Sequence, residues 1–201
     1  MVKYSGRLFV FAILLVLFPF VQSVHAGNKT EVANDFENYI SDGNFFTVMI
    51  PQGWGKDEDI TLGRAAREYG VSLIGPRGMK GTPVMITVLY YGDGKVTHGW
   101  IKSAEDFINL NSKPYRGQLL EGEEYGEVRE ITIAGRKAKK FDNKIFESVS
   151  GSKKILIFYR FVVVPAAIGF YKLQYEAPSD LTKKYESVFD KVINSFNPNV
   201  K

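Results

Sequence analysis

The chain has 201 residues and a formal charge of +4; 45% of its residues are hydrophobic, two are His and none is Cys. Disulfides and cysteine-ligated metals are excluded, and an exported form must be held by packing alone. Removing Lys3 and Arg7 from the 26 basic residues leaves 24 against 22 acidic, too mild a balance to argue for nucleic acid.

The N-terminus reads as a Sec-type signal peptide over 1–26. Lys3 and Arg7 precede the apolar run Leu8–Val21, and Val24-His25-Ala26 suits cleavage between Ala26 and Gly27. A spanning helix needs about 20 apolar residues, and Pro19 interrupts this run. The expectation is a periplasmic or secreted protein with no stable membrane span after cleavage. No Cys follows the run, so a lipoprotein is excluded. Residues 27–42 read as a flexible lead-in and 43–198 as a single domain.

Phe46, Val48 and Ile50 alternate as a strand that ends at Pro51 and Gly53. "KDEDITLGRAAREYG" fits no one element. "GVSLIGP" is a short strand, and "TPVMITVLYY" is a strand with two apolar faces, which needs cover on both sides. Ser103 is a good N-cap for a helix over "SAEDFINLN", with Asp106 as a weak capping-box acid. "EVREITIAGRKAKKFD" is a hairpin turning at Ala134-Gly135, and a second hairpin turns at Ser150-Gly151-Ser152. Its second arm, Ile155–Val164, is apolar except for Arg160 and is expected to be the most buried strand. Tyr171, Leu173 and Tyr175 line one side of the next strand. Ser179 is expected to cap a final helix running to Phe196, with Leu181, Tyr185, Val188, Phe189, Val192, Ile193 and Phe196 as its apolar stripe. Hairpin-linked strands with helices to cover them imply an α+β fold: an antiparallel sheet flanked by helices on both faces.

The candidate chemistry is thin. His98 is the one histidine of the mature chain and shares a loop with Asp93 and Trp100. A Ser–His–acid triad would have to use it, but no Gly-x-Ser-x-Gly is present; the plainer reading is a solvated or packing histidine. "GPRGMKGTP" has its Lys and Gly in the wrong order for a phosphate loop, and Ser150–Lys153 straddles a turn where a penicillin-binding motif needs a helix. Glu121, Glu123, Glu124 and Glu127 read as a solvated acidic loop. Charge is uneven: residues 136–175 hold nine Lys/Arg against Asp142 and Glu147, whereas 31–59 hold seven acids and Lys56. A basic surface with Arg136, Lys137, Lys139 and Lys140 is thus a candidate docking site for an acidic partner; solvated edge lysines are the plainer account.

Three stretches together resemble PsbP-like domains: "FFTVMIPQGW", "GFYKLQYEAP" and "YESVFDKVINSFNP". The matching positions are Pro51, Trp54, Tyr171, Leu173, Ala177, Pro178, Ser195 and Phe196, all packing or turn residues. The resemblance implies an α/β/α sandwich, shared by lumenal photosystem II assembly proteins, a Ran-binding nuclear-transport factor and periplasmic DcrB-like proteins. It implies partners that are proteins; no cofactor is expected from the residues. The expected function is a non-enzymatic binding or accessory module acting on an envelope protein complex. The alternatives are a small-ligand or metal-binding carrier, or a hydrolase using His98 with Asp93 or the Glu121–Glu127 acids.

Overall fold

The computed structural model describes residues 35–78, 80–92, 101–114, 117–149 and 153–200. Its strands are β1 (Phe36–Ile40), β2 (Phe46–Pro51), β3 (Gly55–Asp57), β4 (Glu68–Arg77), β5 (Pro83–Tyr91), β6 (Glu124–Tyr125), β7 (Arg129–Ile133), β8 (Arg136–Val149), β9 (Lys153–Pro165), β10 (Phe170–Pro178) and β11 (Asn197–Pro198). Its helices are α1 (Ile60–Ala66), α2 (Ala104–Asn111) and α3 (Thr182–Ser195). The large sheet runs β3-β4-β5-β10-β9-β8-β6, with β7 also on β8, and every pairing is antiparallel. A small sheet, β1-β2-β11, accompanies it. The expected antiparallel sheet with helices on both faces is the fold observed.

The two faces are built from strand alternation. One face gathers Val71, Leu73, Val84, Ile86, Val88, Val162, Val164, Tyr171, Leu173 and Tyr175. The α3 stripe Tyr185, Val188, Phe189 and Val192 closes over it, together with Phe46, Val48 and Ile50 of the small sheet. Phe189 stacks on Tyr175 at 5.5 Å, and Phe196 meets Phe46 and Tyr171 edge-on or tilted. Ser195 accepts a bond from the Met49 N–H and so ties α3 to β2. The other face carries Tyr91, Phe141, Ile157, Tyr159, Phe161, Val163 and Phe170, with Phe107 and Ile108 of α2 upon them.

Local chemistry accounts for the boundaries. Ala134 and Gly135 both take positive φ, 49° and 75°, the signature of a two-residue type I′ hairpin between β7 and β8. Gly169 closes the β9–β10 hairpin at φ 76°, where a Cβ would lie 1.8 Å from the Tyr91 carbonyl oxygen. Ser103 caps α2 by accepting from the Asp106 N–H, as its position implies. The ambiguous "KDEDITLGRAAREYG" divides into β3, α1 and the start of β4; Asp59 caps α1, which buries none of its residues.

Two expectations need correction. Ser179 does not cap α3: its N–H donates to Leu156 O, the chain turns once more with Leu181 N–H on Pro178 O, and the helix begins at Thr182. Part of the stretch read as a lead-in forms a strand, because Phe36–Ile40 pairs with Thr47–Pro51 of β2 as strand β1.

Candidate functional site

Strand β10 divides its residues strictly. Tyr171, Leu173, Tyr175 and Ala177 enter the α3-side core, so Lys172, Gln174 and Glu176 point to the α2 side. Register sets their neighbours: Lys172 lies between Val163 and Leu89, Gln174 between Phe161 and Thr87, and Glu176 between Tyr159 and Met85. A polar stripe thus crosses the middle of the sheet, walled by aromatic rings of β9.

Burial perturbs these groups. It pulls the Lys172 ammonium down to about 8, against the opposing pull of Glu68 and Glu176. It pushes the Glu176 carboxyl up to about 7; Glu147 adds to the rise, while Lys172 and a bond from Gln174 oppose it. Tyr159 donates its hydroxyl to Glu147, and burial raises that phenol well above its ordinary range. The Lys172 ammonium lies 5.8 Å from the Tyr91 ring centre and 6.0 Å from that of Phe107. Among the described residues it has no hydrogen-bond acceptor and no ion-pair partner.

A groove of about 480 Å³ opens here between α2 and the sheet, lined by Phe107, Leu110, Asn143, Tyr159, Phe161 and Lys172 among others. Asn143 is 4% exposed and donates to Asn111 O at the end of α2. The period of β10 predicts a polar side for Lys172, Gln174 and Glu176. The sequence reading names only Tyr171, Leu173 and Tyr175 of this strand and gives no role to the residues between them. The available signal was their setting: β10 follows directly on the doubly apolar β9, so its polar side chains have apolar neighbours.

The residues singled out from the sequence fare differently. Asp93, His98 and Trp100 lie outside the described residues. The basic run does not form one surface, because successive residues of β8 face opposite ways. Arg136 and Lys140 project to the α3 side with Ala138, whereas Lys137 and Lys139 project to the α2 side. Lys139 is paired with Glu130 at 2.8 Å. Arg129 of β7 stands directly opposite Lys140 and joins the α3-side set. Among the described residues, Arg129, Arg136 and Lys140 form no ion pair. Arg160, at the same side, is fully engaged: Asp142 receives it at 2.9 and 2.8 Å and Glu186 of α3 at 2.5 Å.

The acidic stretches are occupied locally. Asp42 accepts both arms of Arg64, Glu37 pairs with Lys56, and Glu58 accepts the Tyr39 hydroxyl. Glu123 accepts the N–H groups of Leu120 and Phe146, and Glu124 pairs with Lys144. Arg77 donates to Gly81 O within its own turn. Among the described residues no three His, Asp or Glu side chains converge to hold a metal, and no helix is long and apolar enough to cross a membrane.

No protein-family model matches the chain, and no curated protein does. Among solved structures it is similar to cyanobacterial PsbP from Synechocystis sp. PCC 6803, at 13% identity over 89% of this chain and 98% of that one, with a TM-score of 0.47. It is similar to LpqN, involved in cell envelope biogenesis of Mycobacterium tuberculosis, at 15% identity over 76% and 82%, TM-score 0.44. It is also similar to the Ran-binding protein Mog1p of Saccharomyces cerevisiae, at 12% identity over 82% and 95%, TM-score 0.42.

Proposed function

We propose that this chain is an exported, non-enzymatic binding or accessory protein of the cell envelope, and that it docks an acidic segment of a partner protein on the α3 side of the β7–β8 hairpin. Export rests on the apolar run Leu8–Val21 behind Lys3 and Arg7 and on the small residue Ala26. One observation carries the docking site: Arg129 and Lys140 stand directly opposite each other, with Arg136 four register pairs along on the same side. None of the three has a carboxylate partner among the described residues. Like charges directly opposed destabilise a sheet, and a docked carboxylate would reverse that sign.

The test is capture from envelope extracts by the chain from Gly27 onward. Arg129→Glu with Lys140→Glu is compared with Lys137→Glu plus Lys139→Glu, an equal charge change on the opposite face. The reading expects the first pair to abolish capture and the second to leave most of it. Wild-type capture should fade between about 0.05 and 0.5 M salt, as the screening length falls from over 10 Å to a few ångströms. Equal losses from both pairs, or capture indifferent to salt, would refute it. A second reading, small-ligand carriage, is favoured by a different observation, the groove between α2 and the sheet.

A further inference from the structure

We propose that the α2-side groove takes an organic carboxylate with a ring-sized apolar body, its anionic end seated on the Lys172 ammonium. This rests on the small-ligand reading and is independent of partner docking. Among the described residues the Lys172 ammonium has no carboxylate or other acceptor as a partner. Lys172 is half-buried, and an ammonium partly withdrawn from water is costly unless it is paired. The rings of Tyr91 and Phe107 near it return only a small part of that cost. Glu68 and Glu176 act on it at longer range, but neither comes within ion-pair distance. Arg160, half-buried on the other face, shows how this fold treats a cation that is purely structural: two carboxylates hold it.

The groove supplies the remaining chemistry. Lys172 lines it directly, and Phe107, Leu110, Ile145 and Phe161 offer apolar walls. A volume of about 480 Å³ lies within the roughly 300–1,000 Å³ of small-molecule sites. Lys113 and Lys172 against Glu147 leave the lining one net positive charge, which matches one negative charge. A phosphate dianion would meet no Arg fork here, and it would face the Glu147 carboxylate that also lines the groove. The apolar walls ask for a body that a bare anion lacks. An amphipathic monocarboxylate satisfies both demands.

The test uses 2-naphthoate and its neutral isostere 2-naphthamide, titrated calorimetrically into the chain from Gly27 onward. The acid is expected to bind at least tenfold more tightly than the amide. Lys172→Met should bring the acid to the amide's level and leave the amide unchanged, while Lys172→Arg retains part of the preference. Phe161→Ala should weaken both ligands together. Thermal melts of each variant check that it is folded, and the Arg variant decides the matter if the Met variant is not. Equal affinity for acid and amide would overturn the anion assignment yet leave a ligand groove standing. Binding of neither at about 1 mM, an affinity near −4 kcal/mol, would overturn both.

Discussion

Tyr171, Leu173, Tyr175 and Ala177 share one strand with Lys172, Gln174 and Glu176, yet the two sets meet different surroundings. The first set enters a core sealed by α3 and the small sheet, where its members are fully buried. The second set meets a face covered by α2, eight residues long, with the seven-residue α1 toward its edge beside Ser72 and Leu89. Apolar burial at about 25 cal/mol per Å² stabilises the first face. On the second, partly desolvated polar groups oppose stability, and the proposed groove ligand would give them a use in recognition. One central strand thus serves as the boundary between a structural side and a receptive side.

The largest expected difference between the faces lies in aromatic truncation. Phe189→Ala removes a ring with 0% exposure that stacks on Tyr175 and should lower unfolding free energy by about 3–5 kcal/mol. Phe107→Ala, on α2, should cost less, since water from the adjoining groove can fill the space it leaves. Denaturant unfolding of both variants measures this; equal losses would erase the distinction. A smaller contrast concerns neighbours in sequence. Val88→Thr places a hydroxyl in the sealed core, where Val88 is 0% exposed, and should cost about 1–3 kcal/mol. Thr87→Val removes a hydroxyl paired with Ser72 at 3.1 Å on the other face and should change stability by about 1 kcal/mol or less.

Much of this division was legible in the residues. The α3 stripe, the doubly apolar strands and the Ala134-Gly135 turn each depend on local pattern, and each takes the form the pattern implies. The start of α3 was not legible, because the Ser179 N–H is claimed by Leu156 O of β9, a bond no local rule reveals. The small sheet was equally hidden: β1 and β11 exist by pairing with β2, and β11 is two residues from the far end of the chain. For the site, charge counting found Arg136, Lys137, Lys139 and Lys140, but the period of a strand sends them to opposite faces. Arg129 joined two of them only through cross-strand register. Lys172 was counted among the basic residues; its isolation depends on β5 and β9, which sequence order does not place beside it.

The most direct measurement is the unfolding free energy of the wild type and Lys172→Met across pH. Folding lowers the Lys172 pKa from 10.5 to about 8, so between those values the unfolded chain binds more protons and stability rises with pH. Folding raises the Glu176 pKa from 4.5 to about 7, so over that window the folded chain binds more protons and stability falls as pH rises. These two groups therefore place a minimum of wild-type stability between pH 7 and 8. The other charged groups that act on this pair are Glu68, on Lys172, and Glu147, on Glu176. Methionine keeps the apolar stem and removes the charge; the variant should exceed the wild type by on the order of 1–3 kcal/mol near pH 7.5, with the gap closing toward pH 10.5. A variant less stable than the wild type, or a gap indifferent to pH, would contradict the assignment of this face to recognition.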